Sequence, residues 1–529
     1  MPLPDRTLTP QLSGGAAGDL RERALAVLLS PALAHVVDLV CWRQDALVHV
    51  ADSLGHSTLA ADGATVVLAG RDPVADQDPL SDSSYPFAAA RLHSLFAERR
   101  APDLAVVHTG AHHWPERGGH LGEHGSLGSV QSRAPFVLSG AGVGARGVLD
   151  RAVRTVDVGA TLALLSGAAY DGMDGVPIDL VVPTARHVIG LLWDGAHCAD
   201  LLKLAASGAL PNVARLLARG CALRGGAVAE FPSVTLVNHT CALTGVGPGR
   251  HGIVNNAFYD RELGEQVVPN SAATWHRSMD WLRPGVRTVF ERLPEPLVSA
   301  CVNEPVDRGA TWSTFAMVRA MAGAGTGSLV STLPPAEEDP RATQEFVVAN
   351  GDYRWGSQID ASGLEQVLDL WREGVPPRLT WWNTTLTDSA HHAGGPGSPI
   401  ARAGLRDADE RLGVWLDLVE ARGLTDDTVV LLTADHGMQA AVPGCSGDWD
   451  AALTEAGVPY RDSGCETHLF RRRPLCSRGL HVIRGRPRQT AGDTHRLEVL
   501  RSSSTVALPS GCAASAARHH NGRCGHRPP

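Results

Sequence analysis

Asp435 and His436 in the run TADHGM set a hard oxygen ligand beside an imidazole, and Gly437 permits a tight turn directly after an apolar segment. An Asp-His pair alone is more often a capped turn than a metal site. Asp388 and His392 in TDSAHHAGGP are four apart, which places both on one face of a helical turn, as a metal-binding pair requires. A polar loop rich in His and Gly has the same look. His391 points elsewhere on such a turn and reads as structural or solvent-facing. Thr235 in EFPSVTLVNHT stands where a helix begins. There its hydroxyl meets free backbone N–H groups and the positive end of the helix dipole, which stabilise an alkoxide and bind phosphate. The plain alternative is a Thr N-cap.

The elements that must carry these residues are legible around them. LVHVAD, TVVLAG, PDLAVVHTG and PFVLSG read as strands in the front third, and RTVDVGATLALLSG as a short helix ending near Gly167. ARHVIGLLWDG reads as a buried strand ending at Asp194, followed by the helices LPNVARLLARG and TLVNHTCALTG. RLTWWNTTLTD and DTVVLLTADHG are further strands, separated by the amphipathic helix ARAGLRDADERLGVWLDLVEARG. Strands alternating with helices predict an α/β fold with a largely parallel central sheet flanked by helices. In such sheets ligands sit beyond the carboxyl ends of the strands, so Asp194, Asp388 and Asp435 are expected to converge at one edge. Between Asn256 and about Arg378 the pattern loosens into Pro-rich pieces and several Trp, which suits a smaller inserted cap over a site. No decisive pocket residue stands out there.

Together the pieces are far more specific than any one alone. The set LLWDG, FPSVTLVNH, TGVGPGRHGIVNN, TDSAHHAGGP and TADHGM resembles the alkaline phosphatase superfamily, in particular its type I phosphodiesterase/nucleotide pyrophosphatase branch. The branch signatures are a VDG-like strand end, a T-x-x-N-H nucleophile helix, HGI-x-x-N, D-x-x-x-H-x-x-G-P and DHGM. Each has a counterpart between Asp194 and Met438. The resemblance implies that Thr235 is the nucleophile that becomes transiently phosphorylated. It implies that Asp194, Asp435 and His436 hold one zinc with the Thr235 oxygen, and that Asp388 and His392 hold a second zinc, which needs one further His. Asn256, the last residue of HGIVNN, resembles the Asn that hydrogen-bonds a phosphate oxygen. The physics agrees, since a hydroxyl is a poor nucleophile until a metal lowers its pKa, and two metals about 4 Å apart can clamp an in-line displacement.

In the usual order the missing His follows DHGM inside a G-x-H-G segment. Here RAPDLAVVHTG, GGHLGEHGSL, RAPFVLSGAGV and RTVDVGATLALLSG at the front resemble that C-terminal part of the fold, so the chain reads as circularly permuted. His124 in GEHGS is then the third ligand of the second zinc. His120 shares the loop without the following Gly, and His112 and His113 read as loop residues. The competing reading keeps normal order, makes residues 1 to 180 a separate domain, and draws the ligand from His468, His481 or His495, none of which lies between strand signals.

The permuted reading divides the chain into 1–182, the displaced C-terminal portion; 183–460, the catalytic core with a cap at about 257–377; and 461–529, an atypical tail. Hydrophobic residues at 43% and charged residues at 19% exclude collagen-like, coiled-coil and wholly disordered classes. No apolar run is long enough to span a membrane, and MPLPDRTLTPQ lacks the pattern of a signal peptide, so a cytoplasmic protein is expected. The net charge of −9 disfavours a nucleic-acid polymer as partner, but it is uneven. Arg461 to Pro529 holds 13 Arg, no Lys and four acids, or +9, leaving −18 on the rest. This tail reads as disordered or as the gene translated out of frame. Its Cys, without C-x-x-C spacing, read as free thiols. The expectation is a two-zinc enzyme that hydrolyses a small phosphoester, a phosphodiester or nucleotide pyrophosphate first. A phosphonate hydrolase, a phosphomonoesterase, a phosphoglycerate mutase or a non-catalytic relative are the alternatives. A sulfatase is disfavoured because position 235 is Thr.

Overall fold

The structure, a computed structural model, describes residues 15–113, 120–271, 274–323, 351–447, 449–460 and 468–470. Its central sheet has eight strands in the order Trp312–Ser313, Ser299–Val302, Leu379–Thr384, His187–Trp193, Thr428–Thr433, Phe136–Gly140, Gly220–Leu223 and Gly147–Leu149. Phe136–Gly140 alone runs against the rest, so the sheet is largely parallel as expected. The three middle strands are buried along their whole length, which is why HVIGLLW and TVVLLT carry near-continuous apolar runs instead of alternation. Val188, Ile189, Leu191 and Leu192 are at most 1% exposed, and burying each contributes roughly 1.5–3 kcal/mol. Gly190 interrupts that run for a steric reason. A Cβ there would lie 2.3 Å from the Trp381 ring of the next strand, so only glycine lets the indole cross the sheet.

The helices begin and end where the sequence signals them. Asp157 accepts the Arg154 N–H at 2.8 Å at the start of Thr155–Ser166, and Gly167 closes that helix at φ 77°. Ser398 accepts from the Ala401 N–H at 3.2 Å ahead of Pro399–Ala421. Helices Thr155–Ser166, Pro211–Ala218 and Gly351–Arg372 pack against the sheet.

A second, six-stranded antiparallel sheet is ordered His468–Phe470, Leu104–His108, Val37–Gln44, Leu47–Ala51, Gly55–Leu59 and Thr65–Gly70, with every strand but His468–Phe470 drawn from the front of the chain. Leu39 and Cys41 of its central strand join a core with helix Ala88–Phe96, while Val40 and Trp42 face helices Gly15–Leu28 and Trp449–Glu455.

Three expectations need revision. Residues 1–182 are not one portion: Val37–His108 builds the second sheet, whereas Phe136–Gly140 and Thr155–Ser166 belong to the central core. The stretch 257–377 is more than a cap, because Ser299–Val302 and Trp312–Ser313 pair into the central sheet and Gly351–Arg372 is a 22-residue helix. Short SACV and WS segments carry too little pattern to be read as strands. Within the tail expected to be disordered, His468–Phe470 pairs with Leu104–His108. The remaining tail lies outside the described residues.

Candidate active site

Strand register brings the acids together. Leu192 pairs with Thr433 and Trp193 with Thr384, all in parallel, so Asp194 and Asp435 leave the sheet side by side at its carboxyl edge. Helix Leu386–Gly394 follows the third strand at once and carries Asp388 and His392 on one face. Asp388 is therefore a helical residue one turn beyond the strand end, not a strand terminus. From the front of the chain, Glu123 pairs with Gln439, which sets His124 beside the DHGM turn.

Two groups of donors result. Asp194, Asp435 and His436 offer atoms within 4.8 Å of one another, and so do His124, Asp388 and His392. The groups adjoin, since the His124 and His436 rings stack at 3.6 Å between centroids. The three histidines share one design. Nδ1 of His124 bonds the Ser233 carbonyl at 3.0 Å, Nδ1 of His392 the Gly122 carbonyl at 2.8 Å, and Nδ1 of His436 the Gly437 carbonyl at 2.9 Å. A carbonyl only accepts, so each Nδ1 carries a proton and each Nε2 is turned toward the acids, where in the neutral ring it presents a lone pair. Those Nε2 atoms lie 4.0 Å and 3.4 Å from Asp388 Oδ1 and 3.1 Å from Asp435 Oδ2.

Lone pairs facing carboxylates repel unless a cation lies between them. Asp194 Oδ1, Asp388 Oδ1, Asp435 Oδ2 and His436 Nε2 are buried without a hydrogen bond. Such atoms cost about 1–3 kcal/mol each, more when charged. Burial and the charges of Asp435 and Asp388 push the Asp194 carboxyl well above the ordinary range. Burial would raise Asp435 too, but His436 and His239 hold it below that range. His124 is pushed well below its ordinary value by burial and then by His436 and His392, so it is neutral and free to ligate. Hard carboxylates and neutral imidazoles suit a divalent ion of zinc type. A third possible group, His120, Glu123 and His392, shares His392 with the second. One Nε2 serves one ion, so it is an alternative placement and not an additional site. His112 and His113 join none of the groups. His391 is buried, its Nδ1 2.6 Å from the Thr387 carbonyl, and is structural instead of solvent-facing. His481 and His495, and the His468 side chain, lie outside the described residues.

Thr235 opens helix Thr235–Thr244, which Gly245 ends at φ 68°. From Gly225 to Pro248 every residue is buried except Thr235. Asn256 Oδ1 accepts the Leu236 N–H at 3.0 Å, which fixes the amide and leaves Nδ2 as a donor near the helix start. Thr235 and Asp194 line one pocket of about 680 Å³ of empty space, counting its mouth, with Asn270, Trp275, Phe315 and Trp355. Trp275 and Trp355 face each other at 5.5 Å between centroids and 31°, and Asn270 Oδ1 accepts the Trp275 indole N–H at 2.6 Å. Sequence reasoning missed these wall residues because their spacing along 270–355 follows no period.

The profile described as type I phosphodiesterase / nucleotide pyrophosphatase matches residues 188–505. The chain belongs to that family. Alkaline phosphatase PafA of Elizabethkingia meningoseptica is 26% identical over 225 residues, 42% of this chain and 39% of that protein. Ectonucleotide pyrophosphatase/phosphodiesterase family member 3 of Mus musculus is 26% identical over 235 residues, 43% of this chain and 22% of that protein. The chain thus spans less than half the length of these relatives. Murine ectonucleotide pyrophosphatase/phosphodiesterase 5 overlays on 48% of this chain and 58% of its own at a TM-score of 0.34 and 16% identity. The family match begins at the strand that delivers Asp194 and runs past Tyr460 into the arginine-rich tail.

His239, in helix Thr235–Thr244, carried no assignment from sequence. Its Nδ1 is 2.8 Å from Glu304 Oε2, and its Nε2 is 3.6 Å from both Asp194 Oδ2 and Asp435 Oδ2. Glu304 also accepts from the Trp381 indole at 3.1 Å and the Val306 N–H at 2.9 Å. Burial would lower the His239 pKa, but Glu304 and the oxygens of Asp194 and Asp435 hold it well above its ordinary value. Its position four residues after Thr235, on the same helix face, was the available signal. Both partners are at most 1% exposed, so Glu304→Gln is expected to destabilise the fold by about 3–5 kcal/mol, read from denaturant unfolding. A loss under about 1 kcal/mol, the worth of a surface pair, would count against a structural pair here.

Proposed function

We propose that this protein hydrolyses phosphoesters, a phosphodiester or nucleotide pyrophosphate bond, through a covalent phospho-threonine at Thr235. The observation that carries the reading is that Thr235 alone is only partly buried within an otherwise buried stretch, in one pocket with Asp194 and beside two donor groups. Asp194, Asp435 and His436 would hold one zinc ion and His124, Asp388 and His392 another, supplying Lewis-acid polarisation and a lowered pKa at the attacking oxygen. The Thr235 Oγ1 forms a bond to phosphorus as the bond to the leaving oxygen breaks. Water then attacks the phosphorus from the vacated side and returns the hydroxyl to Thr235. The Asn256 amide donates to a non-bridging oxygen, and the helix start adds its dipole. The rings of Trp275 and Trp355 hold the organic group of the ester and exclude water.

We further propose a circularly permuted order for the chain. Its support is the delivery of His124 by the front segment to helix Leu386–Gly394, where Leu121 N–H also donates to the His392 carbonyl at 2.8 Å.

No Lys or Arg stands among the described residues that line the pocket. The one cationic side chain in that lining, His239, is already engaged by Glu304, Asp194 and Asp435, so a second negative charge on the substrate meets no uncompensated cation, which favours a diester monoanion over a monoester dianion. On purified enzyme, kcat/KM for bis-p-nitrophenyl phosphate is expected to exceed that for p-nitrophenyl phosphate by about tenfold or more, equivalent to ~1.4 kcal/mol. A preference for the monoester would overturn the diester assignment.

A further inference from the structure

Helix Gly351–Arg372 does two things at adjacent positions. Ile359 lines the pocket in front of Thr235. Asp360, 1% exposed, reaches the start of helix Leu386–Gly394, where Oδ1 accepts the Thr385 N–H at 2.8 Å and Oδ2 the Leu386 N–H at 3.0 Å. The N-cap of that helix, Thr385, makes no capping bond with its own side chain. The free N–H groups of the first turn are thus satisfied from a different element, by a buried carboxyl group beside the positive end of the helix dipole. One and two turns further along the same helix stand Asp388 and His392.

The rest of the helix has little slack. A Cβ at Gly195 would lie 2.5 Å from Asp388 Oδ1, and His392 is bonded through both its carbonyl and its Nδ1 to the Leu121–Gly122 backbone. Metal–donor distances tolerate only about 0.2 Å. A small slide or rotation at the helix start therefore changes how Asp388 and His392 meet His124. An exposed serine would cap the same N–H groups at less desolvation cost, and a buried carboxyl there demands a compensating use.

We propose that Asp360 is a positioning residue for the second donor group. It fixes helix Leu386–Gly394, and so the placement of Asp388 and His392 relative to His124, from the same helix that walls the substrate pocket. The inference rests on the reading that this group holds a metal ion.

The protein supplies its own control. Asp409, also 1% exposed, accepts the Asn212 and Val213 N–H groups at 3.1 Å and 2.8 Å at the start of helix Pro211–Ala218, which carries no donor group. Asp360→Asn and Asp409→Asn each keep one acceptor oxygen and remove the same kind of interaction. Zinc affinity and stoichiometry are measured on the full chain by competition with a chromophoric chelator, beside thermal unfolding. Wild type is expected to hold two ions. Asp360→Asn weakens one of them by about 10- to 100-fold, and excess zinc restores turnover. Asp409→Asn keeps both affinities while losing stability. Adding Asp360→Asn to His124→Ala leaves the affinity of the remaining ion unchanged. Two ions bound as tightly by Asp360→Asn as by wild type, or equal weakening of both, would overturn the role of Asp360 alone. Fewer than two ions on wild type would overturn the two-ion reading and this inference with it.

Discussion

Thr235→Ala is expected to abolish turnover while leaving metal content and fold intact, with kcat falling on the order of 10⁴-fold or more. The loss is large because the hydroxyl is the bond-forming atom of the first step, and no other described hydroxyl shares its place at the helix start. The fold is spared for an equally local reason. Thr235 is the one partly buried member of an otherwise buried run, and the helix cap does not depend on its side chain. Losing its methyl and hydroxyl opens no core cavity, so stability should move by less than about 1 kcal/mol. The metal is spared because Asp194, Asp435 and His436 remain as donors. Rapid-quench labelling with a phosphorus-32 diester checks the same point. Wild type should yield an acid-stable phosphoprotein and the variant none. Turnover of the variant near the wild-type rate would show that the nucleophile lies elsewhere.

His124→Ala is expected to cost one of two ions, with its affinity falling by more than the about 100-fold typical of supporting residues, while the other ion stays. The variant also removes the bond to the Ser233 carbonyl, made at 3.0 Å two residues before Thr235. His124→Asn restores a donor toward that carbonyl without an imidazole Nε2, and so separates loss of a ligand from loosening of the loop. Both variants should lose the ion, and Asn alone should recover stability, by roughly 1–3 kcal/mol. Full retention of two ions by both would remove His124 from the site and, with it, the main support for a permuted order.

Much of this site was legible because its residues announce themselves in local chemistry. Asp435-His436-Gly437 after TVVLLT, and Asp388 four before His392, are short-range patterns tied to a strand end and a helix face, and register did the rest. Gly167 and Gly245 marked helix ends for the same reason, since a left-handed residue is needed there. What escaped was non-local. Glu304 reaches His239 across 65 positions, and Asp360 reaches Thr385 across 25. A lone buried acid in a segment without periodicity gives no hint of its partner. The strand Ser299–Val302 was missed because four residues, SACV, are buried by their neighbours and not by their own pattern. Conversely Val37–Gln44 was overlooked because both its faces are covered, by different cores, which hides the alternation a half-exposed strand would show.

The pairing of Glu123 with Gln439 also carries a message about assembly in time. The first donor group is incomplete until the chain has been synthesised past His436 and the second until it has passed His392, and the second additionally requires that the Gly122–His124 segment, made early, be held in readiness for it. Closing such a distant contact is slow and entropically costly. On the proposed two-ion reading, metal occupancy would be a late event in the life of the chain and would report that its two donor-bearing segments have found each other. An ion that binds only the finished arrangement then stabilises it by mass action, so the element that performs the chemistry also latches the fold that made it possible.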